Sequence, residues 1–477
     1  MDRRSPEAND RTMDPCLSDA TRLAADIAAG ALDARDLMAA TYDRIESLNP
    51  DLNALVSVLP RAQAIARASD LAPGPLSGLP VVIKDLANAA GFPTSMGSPI
   101  CAGQGPSRED DLFVARMRAA GAIIIAKTNT PEFGLGSHTY NSVHGLTRNP
   151  YDLTRSAGGS SGGATAALVT GMAALADGSD MMGSLRNPAG WSNTYGLRPS
   201  FGLVPAEPKG DTFLHQLATT GPLGRSPDDI ELLLRIMAVP DRRQPHGRKL
   251  QDAPRPHKIA WLGDWGGAYP TEPGVMALCE TALPMFSDLG CEVDAVRSSF
   301  DRDALWDAWI TLRSWMLAAS LDPIMAQPAQ RALLKPEAIW EAERGAKLSA
   351  LEVHRASVTR SQWFETAARL FEDYDAFLMP TAQCFPFDAE LDWPKEIGGV
   401  AMDTYHRWME ITVPVNLIGL PSLAMPAGFS AGGLPMGLQL IGPRGADLGL
   451  LKLARDWHRR APWVSRRPPL LAASEPS

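Results

Sequence analysis

Two serines sit in glycine-rich loops 24 residues apart: Ser160 in Gly158-Gly159-Ser160-Ser161-Gly162-Gly163, and Ser184 at the end of Gly178-Ser179-Asp180-Met181-Met182-Gly183-Ser184. Clustered glycines forfeit entropy on folding and suit places where backbone must approach something closely or take unusual dihedrals. Upstream, the apolar run in Gly78-Leu79-Pro80-Val81-Val82-Ile83-Lys84-Asp85 stops abruptly at a lysine. Lysine is a base only when neutral, and burial in apolar company lowers its pKa by disfavouring the ammonium form. A serine hydroxyl can accept a proton from one partner while donating to another. A lysine and two serines can therefore serve as base, relay and nucleophile in acyl transfer.

This set resembles the Ser-cisSer-Lys triad of the amidase signature family, in which the lysine follows a Gly-x-Pro apolar strand and the nucleophile closes a second glycine loop. Further segments carry the same resemblance. They are Ala126-Lys127-Thr128-Asn129-Thr130-Pro131-Glu132-Phe133, Asn149-Pro150, Arg155, Asp375 to Thr381 and Leu417 to Gly442. The resemblance implies an α/β amidase signature fold, a mixed central sheet covered by helices on both faces. It also implies a cofactor-free serine hydrolase cleaving C–N bonds of small hydrophobic or aryl amides, with carbamates as a second class, of the aryl acylamidase or urethanase type. By the match Lys84 is the base, Ser160 the relay after a cis peptide at Gly159-Ser160, and Ser184 the nucleophile. Asp180 and Arg186 become a pair holding the nucleophile loop, and Thr128, Asn129 and Glu132 lie near the site. The developing oxyanion needs donors, for which the backbone N–H groups of Met181, Met182, Gly183 and Ser184 are the candidates. Met181-Met182 replaces the family's Thr-Gly and reads either as an apolar wall for a bulky acyl or leaving group or as core packing.

Other chemistries fit less well. Gly158 to Gly162 formally spells the G-x-S-x-G elbow, with His406 or His458 as partner, but the polar, turn-forming residues Asn149 to Ala157 precede it where a buried strand is needed. His138 and His144 lack zinc-site spacing, and no glycine loop runs into Gly-Lys-Ser or Gly-Lys-Thr. A catalytically dead binding protein conflicts with retention of every triad residue. The main alternative is a glutaminase-type subunit of a tRNA-dependent amidotransferase complex, against which the two methionines argue because glutamine amide is small and polar.

A net charge of −9 argues against nucleic-acid or anionic-membrane partners. The expected partner is a small-molecule amide or carbamate, and the expected assembly a monomer or homodimer. Cys16, Cys101, Cys279, Cys291 and Cys384 are scattered without paired spacing, suggesting a reducing, cytoplasmic setting with no metal cluster. The polar start of the chain does not read as a signal peptide. Residues 1–16 read as disordered, 17–462 as one domain with a variable, helical insert at about 205–372, and 463–477 as a Pro-rich tail. Opening helices around Gly30 are expected to end at Asn49-Pro50. Val81 to Ile83, Ile123 to Ala126 and Ala376 to Met379 read as buried strands, Asp111 to Ala120 as a helix. Lys258 to Leu262 and Glu292 to Val296 flank a further crossover. Leu305, Trp306, Trp309, Ile310, Leu312, Trp315 and Met316 form a helical stripe best explained by core packing.

Overall fold

The computed structural model describes residues 14–207, 210–298 and 300–472. Eleven strands form one sheet: β1 (Leu55–Val58), β2 (Pro80–Lys84), β3 (Ile123–Thr128), β4 (Leu175–Asp180), β5 (Tyr195–Arg198), β6 (Thr219–Gly224), β7 (Lys258–Trp261), β8 (Glu292–Ala295), β9 (Ala376–Pro380), β10 (Ser422–Phe429) and β11 (Pro435–Ile441). Their order is β1-β3-β2-β4-β6-β5-β10-β11-β9-β7-β8. The sheet is mixed: β2 runs parallel to β3 and β4, β7 parallel to β8 and β9, and the remaining pairs are antiparallel. Every residue of β2, β3, β9 and β11 is buried. Both faces of these strands are therefore covered, which is why they read as continuous apolar runs without alternation.

A helical layer completes the molecule. The helix Arg302–Met325 packs on Pro336–Ala346 and Ala350–Asp373, and the tryptophans at 306 and 309 are buried in the main core as the stripe predicts. A smaller apolar cluster around Leu135, Met316, Leu317, Leu321 and Leu334 joins this layer to the sheet side, and Met181 touches both clusters. No helix among the described residues is long and apolar enough to cross a membrane.

Three expectations need correction. Within the stretch read as disordered, residues 1–13 lie outside the described residues, but Asp14 caps the short turn Pro15–Leu17 and pairs with Arg44. The helix expected to end at Asn49-Pro50 runs over Ala34–Leu52. Pro50 is carried in its last turn, and the stop comes from Asn53 in the left-handed region. The stretch 205–372 is not an insert, because β6, β7 and β8 inside it belong to the sheet, β6 lying between β4 and β5. Gly221 and Pro222 hide β6 from propensity reasoning. At Gly221 a side chain is excluded, since a Cβ would lie 2.2 Å from the Leu197 carbonyl oxygen. Within the Pro-rich tail, Pro469–Ala472 is helical, and the Trp463 indole donates to the Pro426 carbonyl at 2.9 Å.

Candidate active site

Lys84 is the last residue of β2, delivered by a strand too apolar to sit anywhere but inside, and it is 1% exposed. Its Nζ lies 2.7 Å from Ser160 Oγ, 2.9 Å from Ser161 Oγ and 3.2 Å from Ser179 Oγ. Burial pulls its pKa down to about 7, against the opposing charges of Asp177 and Asp180. A neutral amine has two N–H donors and one lone pair. Three surrounding hydroxyls match that inventory if two accept from nitrogen and one donates to it. The Asp177 carboxylate accepts the Lys84 backbone N–H at 2.7 Å and is itself pushed up to about 6 by burial. A cavity of about 270 Å³ reaches Lys84, Asp177 and Ser179 from the side of Asn88, Phe113 and Glu207.

The Gly159-Ser160 peptide is cis. The helix Gly162–Val169 starts directly after the loop and is buried throughout. Gly162 and Gly163 admit no side chain, their Cβ positions falling 2.4 Å from Thr139 Oγ1 and 2.6 Å from the Ala54 carbonyl oxygen. The two glycine loops are tied together by Asn187, whose Oδ1 accepts the Gly159 N–H at 3.1 Å, three residues past Ser184. Ser184 is 6% exposed and precedes the short helix Arg186–Gly190.

Asp180 organises the loop that carries Ser184. Its carboxylate accepts Gly183 N–H at 2.8 Å, Leu185 N–H at 3.2 Å, Arg186 Nε at 3.0 Å and Asn416 Nδ2 at 2.8 Å. Arg198 donates to its backbone carbonyl, and Arg186 also reaches Gln439 and Asn416. Asp180 and Arg186 are fully buried, not the half-exposed pair of an ordinary surface bridge. Burial works against the Asp180 carboxylate, but Arg186 and Arg198 outweigh it and hold its pKa well below the usual range.

Of the four N–H groups considered for an oxyanion, Gly183 is the exception: its N–H is already committed to Asp180. Those of Met181, Met182 and Ser184 carry no such bond to a side chain among the described residues. The loop's positive φ, 80°, falls on Gly183, so neither methionine takes a strained conformation. The methionines separate in role. Met182 is buried in the main core, whereas Met181 is half-buried with its Sδ 3.0 Å from Arg313 Nη1.

Other residues singled out in the sequence are architectural. Thr128 is buried at the end of β3. Asn129 donates to Thr147 Oγ1 at 3.0 Å, and Glu132 accepts from Ser98 Oγ at 2.7 Å and from the Lys335 N–H at 2.9 Å. His138 bonds Ser156 and the Ala389 carbonyl, His144 bonds Ser95, and His458 bonds Tyr195. His406 is stacked on Tyr405. Asp152–Ser156, expected to be a turn, is a strand, but of a separate two-stranded ribbon. No group of three or more metal-ligating side chains is found among the described residues.

Sequence reasoning misses Ser161, Ser179 and Asp177, although a signal exists. On a strand, residues two apart share a face, so Asp177 and Ser179 on β4 project together, with Asp180 on the other side. Arg198, Asn416 and Gln439 come from distant segments with no local pattern to mark them.

The site is a buried lysine against a serine cluster, carried on an eleven-stranded mixed α/β sheet. The Amidase family model matches residues 36–451, and the chain belongs to that family. It is 31% identical to an acylamidase of Rhodococcus erythropolis, over 94% of this chain and 96% of that protein. It is 34% identical to a Glutamyl-tRNA(Gln) amidotransferase component of Thermus thermophilus, over 91% of this chain and 95% of that protein. The crystal structure of a bacterial aryl acylamidase of the amidase signature family superposes with a TM-score of 0.88 at 28% identity, covering 97% of this chain and 99% of that one. The protein is an amidase, acting on C–N bonds of small-molecule amides.

Proposed function

We propose that the protein hydrolyses small hydrophobic or aryl amides, with aryl carbamates as a second substrate class, through an acyl-enzyme on Ser184. The observation that carries this reading is the Lys84 amine, buried and held 2.7 Å from Ser160 Oγ. Neutral Lys84 accepts the Ser160 proton as Ser160 accepts that of Ser184, and Ser184 Oγ bonds to the carbonyl carbon. The oxyanion is met by N–H groups of Met181, Met182 and Ser184, any one of which is worth roughly 2.7–4 kcal/mol of barrier if it behaves like a side-chain donor in other serine hydrolases. When the tetrahedral adduct collapses, the C–N bond breaks and the proton held on Lys84 returns through Ser160 to the departing nitrogen. Water then attacks the acyl carbon, passing a proton through Ser160 to Lys84; the bond from carbon to Ser184 Oγ breaks, that proton returns through Ser160 to Ser184, and the carboxylic acid leaves. Met181, half-buried and apolar, favours a bulky acyl or leaving group.

The test is a panel of anilides, primary amides and aryl carbamates with released amine measured directly, for wild type and Ser184→Ala. Turnover of anilides that Ser184→Ala abolishes is expected; equal rates in the two proteins would refute the assignment. The Thermus thermophilus relative supports a second reading, as the glutaminase component of an amidotransferase. Selective glutamine turnover, with a co-purifying second protein, would favour it over the first.

A further inference from the structure

A recess of about 230 Å³ lies outside the serine cluster, walled by Trp340, Trp393 and Tyr405 and bordered by Glu337, Asp403 and Thr404. We propose that it binds an alkylammonium group carried at the far end of an amide substrate whose carbonyl lies at Ser184. The second half of this statement rests on the hydrolase reading above.

The chemistry of the lining points to a cation. Three aromatic rings and two carboxylates line the recess, and His406 stacks on Tyr405. Aromatic faces attract ammonium groups through the ring quadrupole, most strongly for tryptophan. The protein's own amines show this at two of the rings: Lys395 Nζ sits 3.4 Å from the Trp393 ring centroid, and Lys335 Nζ 5.7 Å from that of Tyr405. The rim carboxylates lack close ion pairs, although the Glu337 charge acts on the Lys335 amine. Glu337 forms no ion pair among the described residues, and Asp403 has only a 3.9 Å approach from Arg407. Trp340 is 39% exposed, an unusual expense of apolar surface for a ring that is set edge-on to Tyr405.

The recess is also adjacent to the reaction centre. Tyr405 Oη accepts from Arg313 Nη2 at 2.8 Å, and the same guanidinium places Nη1 3.0 Å from Met181 Sδ. One planar group therefore separates the floor of the recess from the nucleophile loop. A second route runs along the backbone at Gly134 and Gly136. A Cβ on the first would lie 3.7 Å from Ser160 Oγ, and a Cβ on the second 3.7 Å from the Tyr405 ring. Two residues of chain span at most about 7 Å, so this short backbone segment carries the Ser160 hydroxyl near one end and the Tyr405 ring near the other. Arg313 itself is no competitor for the ligand, since Glu341 holds it at 2.6 Å and both are buried.

The first experiment measures binding without turnover, titrating hexyltrimethylammonium and its neutral carbon isostere into Ser184→Ala protein by calorimetry. The cation is expected to bind about ten-fold more tightly, with the preference falling to within about two-fold in Trp340→Ala and in the Glu337→Gln, Asp403→Asn double variant. All three positions are at the rim or exposed, so these variants should fold. Equal binding of cation and isostere, or a preference that survives both variants, would overturn the site. The second experiment compares kcat/KM for anilides whose acyl chains end in trimethylammonium or in the isosteric neutral group. A preference of about ten-fold is expected, falling to within about two-fold in Trp340→Ala. Cation binding without any kinetic preference would overturn the placement at the far end of the substrate. Absence of anilide hydrolysis would instead count against the hydrolase reading, because the calorimetry does not depend on it.

Discussion

Replacing Lys84 by methionine should inactivate the enzyme and change its stability by an amount that depends on pH. The amine has an ordinary pKa of 10.5 and is held at about 7 in the fold by burial. Between those values the unfolded chain binds more protons than the folded one, so wild-type stability rises with pH across that window. At pH 7 the linkage penalty is about 4 kcal/mol, and at pH 9 about 2 kcal/mol, at about 1.4 kcal/mol per pKa unit. Methionine removes the penalty but deprives three hydroxyls, on Ser160, Ser161 and Ser179, of their common partner. Unsatisfied buried groups cost about 1–3 kcal/mol each where they cannot turn to another acceptor. This offset is as large as the gain at pH 7, but the difference between pH 7 and pH 9 escapes it because the hydroxyls do not titrate. Urea unfolding of both proteins at the two pH values measures it. The Lys84→Met increment should shrink by about 2 kcal/mol from pH 7 to pH 9. An increment that is independent of pH, or that grows toward pH 9, would refute the claim that this lysine is held with a depressed pKa.

Three further outcomes follow from the same geometry. The value of kcat/KM for an anilide should fall about ten-fold per unit as pH drops below about 7, because protonated Lys84 cannot accept from Ser160; a flat profile from pH 8 to pH 5.5 would contradict this. Asp180→Asn should lower stability by about 3–5 kcal/mol, since Arg186 and Arg198 lose their buried counter-charge, and should also reduce kcat by freeing the nucleophile loop; urea unfolding and single-turnover kinetics read the two effects. The wild-type Asp180 contribution, arising from a depressed pKa, is present above the ordinary carboxylate value of 3.8 and is lost as pH falls further. Exchanging Met181 for alanine should raise KM for bulky anilides more than for small ones, a split that steady-state kinetics resolves.

The parts of the site legible in the sequence are those written in local pattern. Lys84 closes an unbroken apolar strand, and Ser160 and Ser184 are flanked by glycines that the packed loops require. Buried strands such as Pro80–Lys84 and Ala376–Pro380 stand out for the same reason, being covered on both faces. What stays hidden depends on chain segments far apart. Strand β6 carries Gly221 and Pro222 because Leu197 presses on it, so its propensity is wrong for its position. Arg198, Asn416 and Gln439 converge on Asp180 and Arg186 from three other places in the chain, and Arg313 meets Met181 across 132 residues. Gly183 reads as an oxyanion donor in the sequence, and only the fold reveals that the Asp180 carboxylate occupies its N–H.

Ser160, Ser161 and Ser179 surround one lysine, Ser184 closes the second glycine loop, and the account names a single nucleophile among the four. Reaction with an aryl fluorophosphonate followed by peptide mass spectrometry reads this choice directly. The adduct is expected on Ser184, at a rate that collapses in Lys84→Ala. An adduct on Ser160, Ser161 or Ser179, or undiminished labelling of Ser184 without the lysine, would contradict it.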